Sequence, residues 1–159
     1  MNKISLINNE QLSLINKFIN DNCDEFNYFK EIGWNLVNIE SQLSKGNNYS
    51  LGYFEDNNLG GVLIGDRIKN DKDYDLELYV LFVAKKLRRK QIATKLINYA
   101  EKITSNFSKI YIEVAEDNLD AISFYQKNNF VFLNFRHNYY KYNDKNITAK
   151  CFIKNIIHE

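Results

Sequence analysis

Residues 78–97 read LYVLFVAKKLRRKQIATKLI, a run in which an apolar stretch passes through a basic turn into a helix-like pattern. The apolar part predicts a buried strand ending near Val83, and Ile92, Leu96, Tyr99, Ala100 and Ile103 recur at helical spacing. Lys85, Lys86, Arg88, Arg89, Lys90 and Lys95 gather between and beside them. Backbone N–H groups at a helix start, flanked by cations, suit a pyrophosphate. A charge run by itself is ordinarily a solvated surface. Its place between strand and helix makes this one a candidate anion site.

A second constellation follows. Residues 109–114 alternate as a strand, Asp117 and Asn118 stand where a helix N-cap belongs, and Ala121, Ile122 and Tyr125 continue at helical spacing. Glu113, Glu116, Asp117 and Asp120 make this region acidic. Taken singly, Glu113 is the outward residue of an alternating strand, Tyr125 a core residue of an amphipathic helix, and Asn118 a cap.

Taken together these segments resemble the GCN5-related N-acetyltransferase (GNAT) superfamily. Its phosphate-binding pattern, Arg/Gln-x-x-Gly-x-Gly/Ala, falls on Arg88, Gln91 and Ala93. Residues 112–130, IEVAEDNLDAISFYQKNNF, and residues 136–140, RHNYY, match two further blocks. The pattern is most similar to the ribosomal-protein N-terminal alanine acetyltransferases over residues 49–156. The resemblance implies acetyl-coenzyme A as cofactor, with coenzyme A as product. Arg88, Arg89, Lys90, Gln91, Ile92, Ala93 and Thr94 would hold the pyrophosphate, chiefly through main-chain N–H groups. The backbone of Leu81 and Val83 would pair with the pantetheine arm where the strand splays, and Asn118 would hydrogen-bond that arm.

By the same resemblance Glu113 is the general base, acting through water, and Tyr125 the general acid; Glu77 is the reserve base. Trp34, Glu77, Arg136, Asn138, Tyr139 and Tyr140 would border the acceptor. One departure stands out: Gln91 occupies a position where the family usually has glycine, which lets backbone approach a phosphate without a Cβ in the way. Ordinary helical dihedrals at Gln91, with its side chain turned outward, would preserve the site. Two other readings stay open, a GNAT enzyme for a polyamine or aminoglycoside and a noncatalytic acyl-CoA-binding module.

The remaining features set bounds. The 159 residues are 45% hydrophobic and 26% charged, the composition of one ordinary globular domain. Lysines and arginines number 21 against 20 acidic residues, so no global field favours nucleic acid or an acidic membrane. Cys23 and Cys151 lack metal or redox spacing, and His137 and His158 are isolated, so no metal site is expected. Reduced thiols, a start that turns polar early and the lack of a long apolar stretch imply a soluble cytoplasmic protein, monomeric or homodimeric.

The expected order is β-α-α-β-β-β-α-β-α-β-β. Leu12, Ile15, Phe18 and Ile19 mark a first helix; residues 20–30 read as a loop; Trp34, Val37, Ile39 and Leu43 mark a second, weaker helix ending near Gly46. Residues 50–54 and 61–65 form a hairpin around residues 55–58, and residues 149–157 a last strand. The fold implied is α/β: a twisted, mixed but mostly antiparallel sheet of six to seven strands, flanked by about four helices.

Overall fold

The computed structural model describes residues 1–103 and 107–158. Its strands form one sheet in the order β1 (Asn2–Ile7), β2 (Asn48–Glu55), β3 (Asn58–Lys69), β4 (Tyr74–Val83), β5 (Phe107–Ala115), β7 (Lys145–Asn155), β6 (Val131–Tyr142). Only β4 and β5 run parallel; every other pair is antiparallel. The helices are α1 (Leu12–Asp21), α2 (Cys23–Glu31), α3 (Leu36–Leu43), α4 (Ile92–Ile103) and α5 (Leu119–Lys127).

Five α-helices rather than four follow because residues 20–30 are not a loop. Asn22 alone separates α1 from α2, its side-chain amide donating to the Phe18 carbonyl at 2.8 Å. What holds α2 is aromatic packing: Phe26 is fully buried and meets Phe82 edge to face, and Phe29 joins the same cluster. Within α3, Ile39 and Leu43 are buried as expected, whereas Val37 is exposed and Trp34 precedes the helix. The β2–β3 hairpin turns at Asp56 and Asn57, both with positive φ, the conformation that Asp and Asn tolerate best among residues with a side chain.

Residues an odd number apart in a strand face opposite ways. Asp66 of β3 meets Gln42 of α3, while the Cβ position of Gly61 faces Ile92 of α4. Helices therefore cover both faces. Ile92, Leu96, Ile97 and Ala100 of α4 are buried, each apolar side chain of this size contributing about 1.5–3 kcal/mol of burial, less for alanine. Ile103, expected on that stripe, is exposed at the helix end.

Candidate active site

The sheet comes apart at its one parallel pair. β4 and β5 are in register from Tyr74/Phe107 to Leu78/Ile112, and there the pairing stops although both strands continue. The cause lies on the other side of β4. Gly65 of β3 partners Leu78 and Ile64 partners Val80, so Tyr79 is an extra residue with no partner, a β-bulge that re-aims the strand. Glycine is required opposite it: a Cβ on Gly65 would lie 2.5 Å from the Glu77 carbonyl oxygen. Residues 79–83, including Leu81 and Val83, thus run beside β3 with a free edge toward β5.

Beyond Val83 lies the basic turn. Arg89 (φ 63°) and Gln91 (φ 59°) are both left-handed, and Lys90 between them is not. Alternating hand along successive residues turns their N–H groups into one concavity, an anion-binding arrangement. The Gln91 carbonyl accepts from Lys95 N at 2.9 Å, so Gln91 opens α4 and the N–H groups of Ile92, Ala93 and Thr94 have no acceptor within the helix. Gln91 therefore does not have the ordinary helical dihedrals that were one condition for preserving the site. It takes up the conformation glycine would adopt, with its side chain exposed.

A pocket of about 580 Å³ joins the free edge of β4 to this turn. Leu81, Val83, Arg88, Arg89, Gln91, Ile92, Ala93, Thr94 and Asn118 line it, as does Tyr125. Lys90 does not line it; its side chain is exposed, and its backbone lies between the two left-handed residues of the turn. The Arg88 guanidinium also turns back, its Nε donating to the Val83 carbonyl at 3.2 Å. Asn118 caps α5 by accepting from Ala121 N at 3.2 Å, which leaves its amide NH₂ as a donor. The concavity, the cations and the unpaired strand edge fit a phosphate joined to an extended polar arm.

A larger groove of about 970 Å³ opens from the same parting. Trp34, Glu77, Arg136, Tyr139 and Tyr140 line it, and Glu113, Ile112, Tyr79 and Tyr140 face both cavities. Asn138 faces neither. It is left-handed (φ 54°) in the stretch of β6 between Arg136 and Tyr140 where the register with β7 shifts. Glu113 is 22% exposed and ion-paired with Arg136, and its carbonyl accepts from the Tyr140 hydroxyl at 3.0 Å. The hydrogen bond and charge of Glu113 raise the Arg136 pKa, holding the guanidinium charged. The Arg136 guanidinium also stacks over the Tyr139 ring at 4.1 Å.

Tyr125 is 6% exposed, and burial pushes its phenol well above the usual range, keeping it protonated. Two side chains that sequence reasoning missed also stand here. Tyr28 of α2 lines the first pocket with a buried hydroxyl that has no partner, and burial, then the Asp117 charge, push it up to about 12. Tyr79 lies between Glu77 and the buried Asp66. The α2 aromatics were the signal available for Tyr28; none existed for the bulge. Among the described residues no cluster of His, Cys, Asp and Glu is arranged for a metal, and no helix is long and apolar enough to cross a membrane.

The architecture is thus an α/β sheet parted at a central parallel pair. Residues 15–130 match the model of the Acetyltransferase (GNAT) family, and the chain belongs to that family. N-alpha-acetyltransferase 50 of Danio rerio is 32% identical over 116 residues, 69% of this chain and 67% of that protein. Two solved structures share the fold. The ribosomal-protein-S18-alanine N-acetyltransferase of Escherichia coli superposes with a TM-score of 0.77 at 16% identity, covering 100% of this chain and 96% of that one. Arabidopsis thaliana NAA60 in complex with acetyl-CoA gives 0.77 at 19% identity, covering 98% and 99%.

Proposed function

We propose that this acetyltransferase uses acetyl-CoA to acetylate the α-amine of a protein N-terminus, by direct attack with both substrates bound. The observation that carries the reading is the meeting of two cavities at Glu113, where β4 and β5 part. One has the features of a phosphate and pantetheine site; the other is an aromatic groove with carboxylates. The Danio rerio relative is an N-alpha-acetyltransferase, and the Escherichia coli structural neighbour is a ribosomal-protein-S18-alanine N-acetyltransferase.

Acetyl-CoA supplies an activated acetyl thioester. The chain's part is to position and to move protons. The turn of residues 88–94 would hold the anionic end, and the free edge of residues 79–83 would pair with the arm and offer N–H donors to the acetyl oxygen. As the nitrogen–carbon bond forms and the carbon–sulfur bond breaks, the nitrogen gives up a proton, taken by Glu113 through water. An α-amine, with reference pKa about 7.7–8.0, needs less help than a lysine at about 10.4.

Tyr125 has a narrower task than full proton transfer. With reference values of about 10 for a phenol and about 8.5 for a thiol, the transfer is uphill by about 2 kcal/mol, and burial of Tyr125 adds to that. A phenol held neutral stabilises the departing sulfur by donating a hydrogen bond.

Mass spectrometry of amines incubated with enzyme and acetyl-CoA tests the proposal. A ribosomal-protein N-terminal peptide, its lysine-containing N-blocked form, a polyamine and an aminoglycoside are the competitors. Acetyl on the free α-amine is the expected result. Transfer to the small amines alone would move the acceptor class, and transfer to none would overturn the proposal.

A further inference from the structure

We propose that Tyr28 of α2 is a binding residue for the cofactor's pantetheine arm, its hydroxyl donating a hydrogen bond to an amide carbonyl on the side of the arm turned away from β4. The inference rests on the acetyl-CoA reading of the first pocket and adds a residue that the family resemblance does not assign. α2 passes over the two cavities in turn. Glu25, Tyr28 and Phe29 line the first, Gly33 and Trp34 beyond the helix end line the outer groove, and Ile32 lines both. Tyr28 lines the first alone, which puts it with the arm and not with the acceptor.

The Tyr28 hydroxyl is shut off from solvent, and among the described residues it has no hydrogen-bond partner. A buried donor left unmet costs free energy, so such a group is rare without a purpose. Burial, then the Asp117 charge, holds the phenol neutral with its proton available to donate. An extended amide chain presents polar groups along two opposite edges. The free edge of residues 79–83 serves one edge of the arm, and the other needs partners in a pocket walled mostly by apolar side chains. Asn118 offers its amide NH₂ there, and the Asp117 charge felt by Tyr28 places the phenol near the turn that carries Asn118. The phenol is also held in advance. Phe26 fixes α2 on β4 through Phe82, and Glu25 lies 3.7 Å from Lys85 of the basic turn. The Tyr28 ring packs against Phe29 and Tyr142, with centroids 5.7 and 5.6 Å away. A donor fixed before the ligand arrives lowers the ordering cost of binding.

The test compares wild type with Tyr28→Phe, which keeps the ring contacts and removes only the hydroxyl. Calorimetry reads binding of acetyl-CoA and of the phosphorylated ADP portion of coenzyme A alone, which keeps the phosphates and lacks the arm. Thermal melts of the free protein and steady-state kinetics accompany it. The free variant is expected to melt at the wild-type temperature or above, because a polar group without a partner leaves the interior. Acetyl-CoA is expected to bind the variant about three- to tenfold more weakly, the loss of one hydrogen bond, while the nucleotide portion binds both proteins equally and the peptide KM is unchanged. Equal acetyl-CoA affinity in the two proteins would overturn the assignment, and a raised peptide KM beside it would give the hydroxyl to the acceptor. A free variant that melts below wild type, or an equal loss of affinity for the nucleotide portion, would overturn it as well, the first by giving the hydroxyl to the fold and the second by removing it from the arm. The predicted loss of affinity in a protein that transfers to no amine would sink the enzymatic reading and leave Tyr28 on the arm. Normal transfer with unaltered acetyl-CoA affinity would do the reverse.

Discussion

Arg136 of β6 and Glu113 of β5 form an ion pair at the point where the sheet parts, so the edge of the outer groove is tied to the carboxylate at which the two cavities meet. The Arg136 side chain is half exposed, and such a pair contributes little to stability, about 0–1 kcal/mol. Its significance is positional. Glu113→Gln is expected to lower kcat about 10²–10⁴-fold, the range for loss of a general base, while acetyl-CoA affinity and melting temperature stay near wild type. Equal kcat in the variant would remove Glu113 from the mechanism.

Tyrosines that lose part of their solvent make the fold sensitive to alkali. Tyr28 and Tyr139 are pushed up to about 12, burial being the largest cause in each, and Tyr125 and Tyr140 are raised further, again by burial. An unfolded tyrosine ionises near about 10. A raised native pKa means stability is complete below that value and is lost as pH rises through the native ones. Thermal melts from about pH 8 to 12 should show a flat region and then a decline beginning above about pH 10. Tyr125→Phe should lower turnover without abolishing this decline, because Tyr28, Tyr139 and Tyr140 remain.

How much of this was legible in the sequence depended on whether the signal was local. Asn129, just past the end of α5, has φ 66°, the left-handed region that asparagine tolerates. Asn118 caps the same helix, and the apolar periodicity of residues 92–100 located α4. By contrast α2 offered only Phe26 and Phe29 as apolar residues on one face, too few to rise above a polar segment until Phe82 supplies their partner. The bulge at Tyr79 was invisible for a stronger reason. It is a property of the pairing between β3 and β4, and neither strand carries it alone. With the bulge unseen, Tyr79 could not be placed between Asp66 and Glu77.

Gly65 is where that pairing can be tested. Gly65→Ala brings a methyl against the Glu77 carbonyl oxygen, a backbone atom that cannot rotate away. The expected cost is about 1–3 kcal/mol, as for overpacking elsewhere, with a larger fall in activity than in stability because Glu77 and Tyr79 shift with the strand. Gly46→Ala is the control, since no atom lies within 4 Å of the added carbon. Denaturant midpoints and turnover measured side by side decide it; a Gly65→Ala protein as stable and active as the control would mean β4 does not depend on close approach here.

Gln91 is the remaining departure from the glycine-based turn, and its dihedrals predict what replacing it does. A residue with a side chain in the left-handed region costs about 1 kcal/mol relative to glycine, and Gln91 sits there at φ 59° with its side chain in solvent. Gln91→Gly relieves that strain but frees the unfolded chain, two opposing effects of similar size, so the melting temperature should move little. Acetyl-CoA affinity should be kept, since the N–H groups that form the concavity are backbone groups. Gln91→Val is the sharper probe: a β-branched side chain is a poor occupant of this region, so the turn must rearrange and the N–H groups of Ile92 and Ala93 swing away from a common centre. Calorimetric titration with acetyl-CoA should show binding weakened at least about tenfold in Gln91→Val and unchanged in Gln91→Gly. Equal affinity in both would mean the anion is held by the cations of the turn rather than by its backbone.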